Sequence, residues 1–328
     1  MFLTALLLAA GFVLLLIGGE LLVRGASRLA EELGMSPMLV GLVVVGLGTS
    51  TPELAASVQA AIAGSPGIAV GNIVGSNLAN TLLILGTAAL ISPIFVQKSV
   101  LWRDGMVGLA GAGLMLVLGH SLGLDRLAGA GFLAILLAYL VFAYRQESQG
   151  QKANAAGLRT AAVEHTDPGL HGHPQKDHKG IWKAAIFFLV GIGVIVAGGS
   201  ILVNAAIDIA ESFGVSDAVI GLTIVAAGTS APELATTVIA AIRKESDIAL
   251  GNVLGSNIYN IFFIGGVTGL VAPGPIPGGI IEFDLWVLAT AASVAVIFAW
   301  TGGRLGRREG GILLAAYLAF IAYTVAAA

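Results

Sequence analysis

Apolar residues in this chain come in long blocks, and polar residues are largely confined to the gaps between them. Ten blocks can be marked, at roughly 3–22, 37–62, 68–92, 100–119, 124–144, 182–207, 217–242, 248–272, 281–302 and 309–327. Each is long enough to cross a bilayer core as a helix. The longest polar stretch, Arg145 to Lys183, carries Gln, Asn, Gly, Pro and most of the histidines. It predicts a flexible linker with five helices on either side. The pattern therefore predicts an all-α polytopic membrane protein with ten transmembrane helices: a first five-helix repeat (1–144), a linker (145–181) and a second five-helix repeat (182–328).

Composition narrows the function classes. The 328 residues are 57% hydrophobic and 11% charged, where a soluble domain is nearer a quarter charged. No length remains for a separate soluble enzyme, so neither catalysis nor a cofactor is expected. The absence of cysteine excludes thiolate metal sites. A net charge of −3 gives no reason to expect nucleic acid. The lipid bilayer is the partner that composition demands, and the chain is expected to work as a monomer. Its first block lacks a basic leader region and a clear small-residue cleavage site, so it reads as a membrane helix and not a secretory signal.

The chain also repeats itself. Gly41–Asn80 aligns with Gly221–Asn260 without a gap at an offset of 180, and 22 of the 40 positions are identical. Gly18, Gly19, Leu22 and Val23 recur as Gly198, Gly199, Leu202 and Val203. Five helices per half is an odd number, so the second half must enter the membrane upside down relative to the first. Inverted repeats are a recurrent transporter architecture, with the site near the midplane where the repeats meet. On this ten-span reading 15 of the 16 basic residues fall on one side, and only Arg126 on the other. The positive-inside rule then predicts a multi-pass cell-membrane protein with both termini outside and the linker cytoplasmic.

Each copy carries one acid in apolar sequence, Glu53 and Glu233. A charged side chain at the bilayer centre costs about 2.5–3.5 kcal/mol on insertion scales, so such a residue is a functional candidate by default. In Gly48-Thr49-Ser50-Thr51-Pro52-Glu53 the proline breaks the helix and frees carbonyls near Gly48 and Thr49. Thr49 and Glu53 are four apart and share a face. Ser76, Asn77 and Asn80 lie three and four apart and predict a second polar stripe. Thr229, Ser230, Glu233, Ser256, Asn257 and Asn260 repeat every part. The donors are all oxygen, which suits hard cations such as Ca²⁺ and Na⁺ and not zinc or copper. Two carboxylates match one divalent or two monovalent ions. For the serines and asparagines, helix–helix hydrogen bonding is the rival role. The glycine pairs Gly71/Gly75 and Gly251/Gly255 read as packing devices. Glu20 and Arg24, four apart near a helix end, look like a surface ion pair.

At these residues the chain resembles the Ca²⁺/cation antiporter superfamily, in its sodium/calcium exchanger branch. The sequences GTSTPE with GNIVGSN, and GTSAPE with GNVLGSN, are similar to that family's signature. The resemblance implies a diamond of ion sites at mid-membrane. Glu53 and Glu233 would be central. Thr49, Ser50, Ser76, Thr229, Ser230 and Ser256 would flank them, with carbonyls near Gly46 and Ala226. Asn80 and Asn260 would face each other across the site. It further implies that helices 1 and 6 slide across the remaining eight, with Gly18, Gly19, Gly198 and Gly199 on the sliding surface. Many members of this branch carry aspartate where this chain has Asn260. The proton-coupled branch has an acid after its GN pair, and this chain has Ile73 and Val253 there. The expected function is Na⁺/Ca²⁺ antiport by alternating access, with about three Na⁺ entering per Ca²⁺. A Ca²⁺/H⁺ antiporter and a passive cation channel are the rivals.

Overall fold

The computed structural model describes residues 2–33, 35–62, 64, 66–121, 123–163, 178–212 and 226–327. Eight of the expected blocks are helices long and apolar enough to cross a membrane. They are α1 (Phe2–Leu33), α4 (Gly67–Ile91), α5 (Lys98–His120), α6 (Arg126–Val163), α7 (His178–Ser212), α10 (Ser246–Val271), α11 (Ile280–Gly302) and α12 (Arg307–Ala327). A further block is a broken pair, α2 (Pro37–Thr49) and α3 (Thr51–Ile62), bent by 43°. The block at 217–242 is seen as α8 (Ala226–Thr229) and α9 (Ala231–Ile242), and its first part lies outside the described residues.

The break has a local cause. Ser50 leaves the helical region at φ −81, ψ 7, two residues before Pro52, which has no N–H to continue the ladder. Ser230 does the same at φ −85, ψ 8, two residues before Pro232. Among the described residues, five helices also contain a wide turn of π type, at Gly41–Val45, Ala79–Ile84, Leu101–Gly105, Tyr259–Ile264 and Ile280–Asp284. Such turns leave backbone carbonyls in need of partners. The Tyr259 hydroxyl donates to one of them, the Val43 carbonyl, at 3.3 Å. Asn80 and Asn260 sit in two of these turns, 180 positions apart.

Glycines set how closely the helices approach. α1 and α7 pack backbone to backbone: a methyl at Gly25 would stand 2.4 Å from the Phe188 nitrogen, and one at Gly191 2.5 Å from the Leu22 nitrogen. Gly18 and Gly198 lie at this crossing, whereas Gly19 and Gly199 face α9. Gly251 and Gly255 press α10 against α2 at Met38 and Leu42. Residues 217–225, which match the first part of α2 in the repeat, lie outside the described residues.

Two features differ from the sequence reading. The stretch from Arg145 continues α6 as a helix to Val163, and α7 begins at His178. Alanines at 153, 155, 156, 161 and 162 favour that extension. Residues 164–177, with His165, His171 and His173, lie outside the described residues. Second, Glu20 is more than the surface partner of Arg24. It also accepts from Arg243 at the end of α9, through Nε at 2.7 Å and through a second, shorter bond from Nη2. Another ion pair lies inside the helical layer. Arg103 donates to both Asp104 oxygens, at 2.5 and 2.8 Å, and Tyr139 donates to Asp104 at 2.7 Å, all three buried. A charge in an apolar bundle persists only when paired in this way.

Candidate functional site: a crosswise acid pair

The two breaks lie side by side, and each positions its acid for the other repeat. Glu53 and Glu233 sit in the first turns of α3 and α9, at 1% and 0% exposure. They are close enough to interact electrostatically. Ser50 donates to Glu233 Oε1 at 3.1 Å, and Ser230 donates to Glu53 Oε1 at 3.3 Å. Neither half therefore completes its own site.

Around the acids the sequence-predicted residues gather in part. Thr49 touches the Gly46 carbonyl and Ser256, both at 3.4 Å. The bare Gly46 lets α2 approach α10 closely, since a methyl there would stand 3.0 Å from the Ser256 nitrogen. Ala226 opens α8, one turn before Ser230. Ser76, Asn80 and Asn260 are buried on α4 and α10. Asn77 and Asn257 engage only their amide nitrogens, and their amide oxygens are buried without a hydrogen-bond partner. Asn77 donates to the Ile73 carbonyl at 2.6 Å, and Asn257 donates to Thr81 at 2.9 Å. Both line a mostly apolar cavity of about 50 Å³ between α4, α5, α10 and α11.

Sequence reasoning passed over Asn72 and Asn252. The Asn72 amide donates to the Glu53 carbonyl at 3.2 Å and to Ser57 at 2.9 Å, and accepts from Thr229 at 3.4 Å. Asn252 donates to the Glu233 carbonyl at 3.3 Å and to Thr237 at 2.8 Å, and accepts from Thr49 at 3.1 Å. The available signal was their identity in both copies, matched by a hydroxyl residue in both copies at Ser57 and Thr237.

Among the described residues, Glu53 Oε2, Glu233 Oε2, Ser76 Oγ, the amide oxygens of Asn77 and Asn257, the hydroxyls of Thr236 and Thr268 and both ends of the Asn80 and Asn260 amides are buried without a hydrogen-bond partner. Leaving such a group unpaired costs about 1–3 kcal/mol, and more if it is charged.

Broken helices meeting at a shared, buried acid pair define a polytopic membrane protein with an oxygen-lined polar centre inside its helical layer. The chain belongs to the sodium/calcium exchanger protein family, whose profile matches residues 3–145 and 183–326. It is similar to the sodium/calcium exchanger MaX1 of Methanosarcina acetivorans, 36% identical over 96% of this chain and 97% of that protein. It is also similar to the inner membrane protein YrbG of Escherichia coli, 32% identical over 96% and 94% of the two chains. Among solved structures it matches the sodium-calcium exchanger NCX_Mj soaked with Na⁺ and Ca²⁺, with a TM-score of 0.82, 29% identity and 98% of each chain covered.

Proposed function

We propose that this chain is a secondary antiporter that exchanges Na⁺ for Ca²⁺ by alternating access and extrudes Ca²⁺. The observation that carries the reading is the crosswise pair Ser50–Glu233 and Ser230–Glu53, with a carboxylate oxygen of each acid left for another partner. Glu53 and Glu233 compensate either one Ca²⁺ or two Na⁺. Thr49, Ser50, Ser76, Thr229, Ser230 and Ser256, with the carbonyls of Gly46 and Ala226, supply neutral oxygens. Asn80 and Asn260 close the shell as neutral groups. Asn77 and Asn257 spend only their amide nitrogens, on Ile73 and Thr81, and each keeps a buried amide oxygen for the shell.

Three further points belong to this reading. The halves are inverted repeats, with both termini outside and the polar stretch 145–181 in the cytoplasm, in keeping with the distribution of basic residues. Na⁺ drives transport in preference to H⁺, since Ile73 and Val253 stand where the proton-coupled branch has an acid. MaX1 and NCX_Mj, both named as sodium/calcium exchangers, support the same ion pair. The coupling is about three Na⁺ per Ca²⁺. At a potential of about 100 mV and a gradient of about 10⁴, extruding one Ca²⁺ costs about 10 kcal/mol. Each Na⁺ entering down an about tenfold gradient returns about 3.7 kcal/mol, so two fall short and three suffice.

The test is uptake of radiolabelled Ca²⁺ into proteoliposomes with imposed Na⁺, K⁺ or H⁺ gradients. Uptake driven by an outward Na⁺ gradient at clamped pH supports the reading. Uptake driven only by a proton gradient replaces it with Ca²⁺/H⁺ exchange.

A further inference from the structure

The Asn252 amide has one orientation that satisfies its surroundings. One end lies 3.3 Å from the Glu233 carbonyl oxygen, which can only accept, so that end is the nitrogen. The nitrogen's second proton goes to Thr237 at 2.8 Å. The oxygen end is thereby turned to the Thr49 hydroxyl at 3.1 Å, and the threonine must donate. Asn72 is fixed in the same sense by the Glu53 carbonyl, Ser57 and the Thr229 hydroxyl. Each asparagine thus bridges a broken helix of one repeat to the threonine of the other.

A hydroxyl has one proton and two lone pairs. It can ligate a cation only if the proton points elsewhere. Thr49 is also close enough to Glu233 to interact with it, and a negative carboxylate is the stronger attraction for a hydroxyl proton. With the proton on that side, Thr49 would present its positive end to a cation held by Glu233. We infer that Asn252 and Asn72 are positioning residues for ion binding: their amide oxygens take the hydroxyl protons of Thr49 and Thr229 and so turn the threonine oxygens toward the cation. The inference rests on the reading of this centre as the Na⁺/Ca²⁺ site. It assigns the asparagines no contact with the ion.

The prediction can be tested on the purified full-length protein by calorimetric titration with Ca²⁺ alone and with Na⁺ alone, and by a double-mutant cycle. Asn252→Leu and Thr49→Val should each weaken binding by about tenfold, the order seen when a metal ligand loses its outer partner. The double variant should be no weaker than either single one, because the asparagine acts through the hydroxyl. Thr49→Ser, which keeps a hydroxyl, should bind as the wild type does. Additive losses in the double variant would overturn the inference, since a packing role has no reason to vanish with the hydroxyl. Wild-type affinity in Thr49→Val overturns it as well, and if Asn252→Leu fails to fold the cycle on the other repeat carries the test. Asn72→Leu with Thr229→Val gives the same cycle on the other repeat. Wild-type protein that binds Ca²⁺ but shows no Na⁺-driven uptake would count against the proposed function and leave the cycle readable.

Discussion

Ser50 and Glu233 stand 183 positions apart in the chain, yet the serine donates to the acid's Oε1 at 3.1 Å. Ser230 and Glu53 make the reciprocal contact at 3.3 Å. Each broken helix therefore supplies a hydroxyl to the other repeat's carboxylate and holds its own acid by the backbone of its first turn. A relative shift of the two breaks would alter both carboxylates together, which is a property an alternating-access site needs.

From this arrangement we predict that Glu53→Gln and Glu233→Gln each abolish Ca²⁺ uptake in proteoliposomes while the protein still folds. Each change keeps shape and hydrogen-bonding capacity at the serine and removes one of the two charges that compensate a divalent ion. Flux near the wild-type rate in either variant would remove that acid from the site.

Much of this centre could be read from the sequence, for physical reasons. A carboxylate in apolar sequence is costly, and the repeat marks the same positions twice. The breaks were legible because a serine two residues before a proline ends a helix in both copies. The wide turns were not, since a continuously apolar segment shows no change in pattern where one residue is inserted. Asn77 was placed on the stripe of Asn80 by a spacing of three. Its face partner is Thr81, four residues on, with which it lines the cavity, while Asn80 belongs with Ser76. Asn72 and Asn252 were missed because their partners lie 15 to 203 residues away, where no local spacing can show them. The same distance hid Arg243 from Glu20.

The Arg103–Asp104 pair should be a stability element. Asp104→Asn leaves the buried guanidinium without its carboxylate. Removing one partner of a buried pair costs about 3–5 kcal/mol. Tyr139→Phe removes only the 2.7 Å bond to Asp104, at a cost of about 1.5–3 kcal/mol for a hydrogen bond to a charged group. Thermal unfolding in detergent should therefore rank wild type above Tyr139→Phe and that above Asp104→Asn. A reversed order would mean that the ion pair is not held as described.

Glu20 joins α1 to the end of α9 through Arg243, and the pair is about one-third exposed on each side. An exposed ion pair contributes about 0–1 kcal/mol, so Glu20→Gln should barely change the unfolding temperature. The contact nevertheless ties the α1–α7 pair to the rest of the bundle. If that pair moves during transport, the variant should change turnover by about twofold or more with Ca²⁺ affinity unaltered, as expected for a conformational step. Unchanged turnover would show that the contact persists throughout the cycle or is not formed.

The last prediction separates two glycines that look alike in sequence. A methyl at Gly255 would stand 2.3 Å from the Leu42 carbonyl oxygen and 2.9 Å from its Cα. Both are backbone atoms, so the clash cannot be relieved by turning a side chain. Relief requires α10 to move away from α2, and that contact is one of those that bring Ser256 within 3.4 Å of Thr49. At Gly113 of α5 a methyl would meet nothing within 4 Å. There the change to alanine only removes backbone freedom, which favours a helix by about 0.5–1 kcal/mol. Gly255→Ala should therefore lower the yield of folded protein or, where folded, weaken Ca²⁺ binding, although it touches no charged group. Gly113→Ala should match or exceed the wild type in unfolding temperature and transport. Size-exclusion profiles and proteoliposome flux of the two variants, prepared side by side, make the comparison. Equal behaviour of the pair would show that the α2–α10 contact is not close enough to set the geometry of the site.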